Sequence, residues 1–179
     1  MISCMKLSQR RQLARAFGAH AIATAGSDEK IVFCQDLGAD CAIHYRNEDF
    51  EERVFEFTDR RGVNLVLDMV GGSYFPKNIS LLAVDGRLVQ IACLEGEQVS
   101  LDLGAVMQKR LTITGSTLRP QSFVAKARIA RELIEKVWPL FASRMIRPTV
   151  YRTFPLSEAK MAHELLESNR VCGKIVLII

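Results

Sequence analysis

The 179-residue sequence lacks any apolar run able to cross a bilayer. Its longest, Ile175-Val176-Leu177-Ile178-Ile179, falls far short of the roughly 20 residues a membrane helix requires. A secretory signal is not expected either, because in residues 1–11 most of the basic side chains follow the few apolar ones, the reverse of a leader. Clustered positive charge is missing. The net charge is only +4, and adjacent basic residues occur only as Arg10-Arg11, Arg60-Arg61 and Lys109-Arg110. That pattern excludes a nucleic-acid groove or a membrane-binding face, which need concentrated positive charge. The five cysteines are widely spaced and include no C-x-x-C pair, which points to free thiols in a reducing cytoplasm rather than to zinc or a disulfide framework. His20, His44 and His163 stand far apart with no acid or nucleophile at a tell-tale spacing, so neither a catalytic triad nor a metal site is expected. Ser73, in Gly71-Gly72-Ser73-Tyr74-Phe75, lacks the closing glycine of a nucleophile elbow. Nor does the chain contain a G-x-G-x-x-G turn, the usual pyrophosphate cradle of dinucleotide-binding folds.

What is present is enough apolar material for one core. At this length, with 49% hydrophobic and 25% charged residues, a single folded domain is expected and general disorder is excluded. Short β-branched runs alternate with amphipathic stretches from residue 20 to residue 116, the sequence form of βα units wound about a parallel sheet. Strands are read at 19–25, 41–45, 64–69, 87–92 and 111–116, with helices near 27–37, 48–60, 73–82 and 103–109. Ser27 is an N-cap candidate backed by Asp28 and Glu29, and Gly38 ends that helix. A longer helix is expected over 121–143, interrupted late by Pro139, then a strand at 149–154, a helix over 157–168 capped by Ser157, and a final strand at 173–179. The expected fold class is α/β with a doubly wound parallel sheet.

In such a sheet a ligand sits beyond the carboxyl ends of the strands, so strand-end residues are the candidates. The first clear strand ends in Ala25-Gly26, where a site preferring NAD usually carries a carboxylate for the ribose hydroxyls. The small tip leaves room for a 2′-phosphate, to which the Ser27 hydroxyl and the Lys30 ammonium can donate. Tyr45-Arg46, at the next strand end, add a phenol and a second cation. The alternative is that Ser27 merely caps, Lys30 is solvated and Tyr45 is a strand-end aromatic. Gly71-Gly72 and Gly115-Ser116 likewise either make turns or let a flat ring approach the backbone. Asp68 lies in an otherwise apolar run and must find donors; capping of a neighbouring loop is the preferred reading over catalysis.

Several runs, taken in order, carry a family resemblance: Ala23-Thr24-Ala25-Gly26-Ser27, Leu37-Gly38-Ala39-Asp40, Leu67-Asp68-Met69-Val70-Gly71-Gly72, Asp85-Gly86-Arg87-Leu88-Val89-Gln90-Ile91, Thr114-Gly115-Ser116-Thr117-Leu118 and Gly173-Lys174-Ile175-Val176-Leu177. Together, over residues 12–179, they resemble the carboxyl-terminal half of the zinc-independent quinone oxidoreductases. These form the zeta-crystallin-like and p53-inducible-quinone-oxidoreductase-like branch of the medium-chain dehydrogenase/reductase superfamily. The resemblance implies a Rossmann-like fold. It also implies a zinc-independent oxidoreductase that passes a hydride from NADPH directly to a quinone or similar activated carbonyl. Such chemistry asks the protein to position a ring rather than to supply a nucleophile, so no catalytic side chain and no metal ligand is expected. Carried over by position, Ser27, Lys30 and Tyr45 hold the 2′-phosphate. Val70 and Gly71 stand beside the adenosine, Ile91 and Ala92 nearer the nicotinamide, and Ser116, Thr117 and Leu118 line the nicotinamide pocket. Asp68 becomes a structural residue.

The sequence also departs from that family. The N-terminal GroES-like catalytic domain, the first strand of the nucleotide fold and its Gly-rich turn have no counterpart, and residues 1–11 are an atypical replacement. Residues 1–179 are therefore expected to form a truncated NAD(P)-binding domain with weak NADPH binding and impaired turnover. In the usual order the missing strand is the central one, so residues 1–7 must fill its place or the sheet must re-pair. The alternative reading is a non-catalytic dimerisation fragment that pairs through strand 111–116, which no charge or proline blunts. A methyltransferase is disfavoured, because its cofactor has no 2′-phosphate for Ser27, Lys30 and Tyr45 to hold.

Overall fold

A computed structural model of the chain describes residues 2–3, 8–168 and 170–179, with side chains from residue 11 onward. Six parallel strands form the main sheet in the order β3-β2-β1-β4-β5-β6. The apolar β2 (Ile22–Ala25) is buried along its length and pairs with β3 (Cys41–His44) from Ile22 opposite Cys41 to Ala25 opposite His44. On the other side β4 (Val63–Asp68) pairs with β5 (Leu82–Gln90), and β5 with β6 (Thr112–Gly115). The expected gap between these halves is filled from within the first seven residues. A short β1 (Ile2–Ser3) sets Ile2 opposite Ala23 on one flank and opposite Leu67 on the other. The first strand is thus present rather than missing, with Ile2 and Ser3 its described residues. Residues 4–7, which join it to α1 (Ser8–Ala16), lie outside the described residues.

The helices follow the expected alternation: α2 (Asp28–Asp36), α3 (Phe50–Phe57), α4 (Tyr74–Leu81) and α5 (Leu103–Lys109). Asp49 caps α3 by accepting from the Glu51 N–H at 2.9 Å, and Asp102 caps α5 by accepting from Gly104 and Ala105. Ser27 stands at the α2 N-cap with extended backbone but makes no side-chain capping bond. That helix start relies instead on the acids Asp28 and Glu29 against its dipole. Gly38, at φ 85°, follows the end of α2 as expected. Ser157 is not a cap either: it sits inside a 3₁₀ turn (Leu156–Glu158) that precedes α8 (Ala159–Glu167). The long helix expected over 121–143 divides into α6 (Phe123–Lys136) and α7 (Trp138–Ala142). Pro139 lies in the first turn of α7, where its missing N–H interrupts no helical bond.

The core packs on both faces of the sheet. Ile22, Ile43, Phe50, Val54 and Leu81 form one cluster and Val66, Phe75, Ile79, Leu82 and Leu88 a second, linked through Val63 and α4, while Ala23, Ala25 and Cys34 form a third with α2 on the opposite face. Burial thins beyond β5. Every residue of β6 is exposed, α6 buries none, and Phe123 is 90% exposed. The last strands, β7 (Val150–Pro155) and β8 (Lys174–Ile178), form a separate two-stranded parallel sheet. No described helix is long and apolar enough to cross a membrane. Cys41, Cys93 and Cys172 are free thiols as expected, but Cys34 is disulfide-bonded. Wide spacing along the chain does not preclude close approach across a wound sheet. Cys4 lies outside the described residues.

Candidate functional site

The carboxyl ends of the strands form one rim, and every strand-end candidate lies along it. Neighbouring strands stand about 4.8 Å apart, so the rim from β3 to β6 spans roughly 24 Å, a seat for an extended ligand.

Tyr45 follows β3 at one end of this rim. Its N–H donates to the Ala25 carbonyl at 3.1 Å and ties the tips of β3 and β2 together. Its ring folds back over the β2 tip, so that a Cβ built on Gly26 would lie 2.6 Å from the Tyr45 hydroxyl. The space that the small tip was expected to leave open is therefore filled by the phenol, which stands where a longer side chain at position 26 would project. Gly26 is not in the left-handed region, so its need for glycine is steric. Beside it Ser27, at φ −156° and ψ 154°, keeps its hydroxyl out of helix capping. Lys30 lies in the first turn of α2, half-buried. Burial raises the Cys172 thiol pKa, and the nearby Lys30 charge pulls it partly back.

Tyr45 rests on an aromatic layer that the sequence did not disclose. Its ring meets Tyr74 edge-on, with centroids 6.1 Å apart and planes at 80°. Tyr74 in turn stacks on Phe50 at 5.0 Å and 14°. Lys77 sits 5.2 Å over the Phe50 ring and pairs with the Asp49 carboxylate at 3.2 Å. Burial, followed by the charges of Tyr45, Glu95 and Asp68, pushes the Tyr74 phenol up to about 12, so it stays neutral at physiological pH. The one available signal for Tyr74 was an aromatic directly after Gly71-Gly72-Ser73. In that run the Ser73 hydroxyl donates to the Glu95 carboxylate at 2.9 Å.

Asp68 closes β4 as a loop cap. Its buried carboxylate accepts from the Val70 N–H at 2.7 Å and from the Gly71 N–H at 3.2 Å. Gly71 and Gly72 turn the chain at φ 67° and 48°, and a Cβ on Gly71 would meet the Gly96 carbonyl at 2.6 Å. Both glycines thus serve the turn and the close approach of the following loop. Gly115 is different: a Cβ there would find nothing nearer than 3.8 Å. Ile91 donates to the Asp68 carbonyl at 2.8 Å and Ser116 to the Gln90 carbonyl at 2.9 Å, joining three strand ends. The Ala92 carbonyl accepts from the Gln90 side chain at 2.6 Å.

The rim therefore gathers Ser27, Lys30 and Tyr45 at the β2 and β3 tips, and Val70, Gly71, Ile91, Ala92 and Ser116 at the other end. Thr117 and Leu118 stand out in solvent, Leu118 at 60% exposure.

The family described as zinc-binding dehydrogenase matches residues 37–177. Quinone oxidoreductase 1 of Escherichia coli is 32% identical over 170 residues, 93% of this chain and 51% of that protein. The quinone oxidoreductase of Salmonella typhimurium is 33% identical over a stretch of equal length and coverage. The crystal structure of Escherichia coli quinone oxidoreductase complexed with NADPH superposes with a TM-score of 0.83 at 29% identity, covering 99% of this chain and 56% of that one. An NAD-dependent alcohol dehydrogenase structure gives 0.81 at 31% identity, over 99% and 50%. This chain spans about half the length of the relatives it matches. The zinc in the family's description does not fit the residues present: among those described, no three His, Cys, Asp or Glu side chains gather as a metal site would need.

Proposed function

This chain belongs to the zinc-binding dehydrogenase family, and from that premise we propose that it is the NADPH-holding part of a zinc-independent quinone oxidoreductase. The observation that carries the reading is the phenol of Tyr45 seated over Gly26, at the strand tip that leads through Ser27 into the first turn of α2, which carries Lys30. A carboxylate at that tip would accept from ribose hydroxyls; a phenol, a hydroxyl and an ammonium suit a phosphate instead. Val70 and Gly71 flank the adenosine, and Ile91, Ala92, Ser116, Thr117 and Leu118 the nicotinamide. NADPH, when bound, supplies a hydride for a quinone-like acceptor. The chain's own residues hold the dinucleotide along the rim. Binding is weak without a G-x-G-x-x-G turn for the pyrophosphate.

Calorimetric titration with NADPH and NADH tests it. Wild type is expected to bind NADPH more tightly, and Lys30→Ala to lose roughly tenfold in NADPH affinity, the worth of one charge-assisted contact, with little change for NADH. Equal affinity of wild type for the two nucleotides would refute the assignment.

Pairing of two copies is favoured by β6, which ends the sheet with all its residues exposed and no proline or charge to blunt it. Light scattering is expected to find a homodimer, and Ile113→Lys a monomer. A monomeric wild type would count against edge pairing.

A further inference from the structure

Tyr45 is 38% exposed and follows a strand end, so its ring needs an external constraint to keep one rotamer. Gly26 makes room for the phenol but does not hold it there. The constraint comes from the edge-on contact with Tyr74, and Tyr74 is backed by the stack on Phe50. Phe50 is 5% exposed, opens α3 next to its Asp49 cap, and carries the Lys77 ammonium on its ring. The layer thus runs from a capped helix start to the tip of β2, and each member fixes the next.

We propose that Tyr74 is a positioning residue that sets nucleotide selectivity: its ring holds the Tyr45 hydroxyl at the β2 tip, where that hydroxyl contacts a phosphate on the adenosine ribose. This rests on the phosphate-site reading given above. The contact with Tyr45 is made by the ring, so phenylalanine substitutes for Tyr74 and an aliphatic residue does not. The high pKa of Tyr74 agrees with a group that acts by shape rather than by proton transfer. Tyr74 itself need not touch the nucleotide.

The test uses the full chain and two probes that report only on the adenosine end, 2′,5′-ADP and 5′-AMP, titrated calorimetrically into wild type, Tyr45→Phe, Tyr74→Phe and Tyr74→Leu. Wild type is expected to favour 2′,5′-ADP. Tyr45→Phe and Tyr74→Leu should each cut that preference roughly tenfold, the worth of one hydrogen bond to a charged group, while 5′-AMP affinity stays put and Tyr74→Phe keeps the wild-type ratio. Tyr74→Met, which fills irregular space more readily, takes the place of leucine if that variant does not fold. Two outcomes overturn the positioning role alone: an unchanged preference in Tyr74→Leu while Tyr45→Phe loses it, or equal weakening of both probes by Tyr74→Leu. A wild type with no preference removes the phosphate-site reading, and the proposal with it.

Discussion

Replacing Arg11 with methionine is expected to stabilise the chain by about 1–4 kcal/mol, the gain reached when a buried ion pair is exchanged for well-packed apolar groups, since here the charge has no acid partner to lose among the described residues. Arg11 is fully buried on α1. Its Nη1 donates to the Cys34 sulfur at 3.0 Å, a weak acceptor, and its Nε and Nη2 have no hydrogen-bond partner among the described residues. Burial pushes the guanidinium down to about 10, with the Cys172 charge opposing that shift. A base whose pKa is depressed by folding is penalised while charged. Between the folded and unfolded values the unfolded state holds more protons, so stability rises with pH in that window. The penalty is complete below about 10 and is relieved above it. Urea unfolding at neutral pH should therefore show a midpoint roughly 1 M higher for Arg11→Met at unchanged slope. The gap to wild type should narrow as pH rises through about 10. No gain at neutral pH would show that the guanidinium is adequately solvated. Methionine suits the helix position, being a good helix former of similar reach.

Arg11 also marks where sequence reasoning stops. In the sequence it is half of a basic pair on a polar helix, and nothing in periodicity assigns such a residue to the interior. The βα alternation was legible because it depends on local patterning: β2, β3 and α5 fall where apolar runs and their punctuation put them. The start of β5 was not. The chain pairs Val63 with Leu82, then bulges through Asp85 at φ 62°, and resumes with Leu65 opposite Arg87. Asp85-Gly86 reads as a turn in sequence, yet here Asp85 is held by a bidentate contact with Arg110 and the strand continues past it. At the site, strand-end positions were legible from the topology rule, and so was the need of Asp68 for backbone donors. The seat of Tyr45 on Gly26 was not, because a glycine at a strand tip looks the same whether the space above it is empty or filled. Tyr74 escaped for a related reason: its role depends on three rings from different elements meeting in space.

Gly26→Asp is expected to reverse nucleotide preference. A side chain at position 26 must displace the Tyr45 phenol, since even its Cβ would come within 2.6 Å of the hydroxyl. The new carboxylate would then stand at the β2 tip. It accepts from the ribose hydroxyls of NADH but repels a 2′-phosphate, and like charges brought together cost several kcal/mol, so the preference should shift by roughly a hundredfold. Because Gly26 is outside the left-handed region, the backbone tolerates aspartate and the effect is confined to the tip. Gly26→Ala separates the two causes. It dislodges the phenol without adding charge, and should lower NADPH affinity by only about tenfold, the loss of one hydrogen bond to a charged group. Titration of wild type and both variants with NADPH and NADH checks the order of effects. If Gly26→Asp retained the preference for NADPH, the ribose phosphate could not lie at the β2 tip, and the roles of Tyr45, Ser27 and Lys30 would fall together.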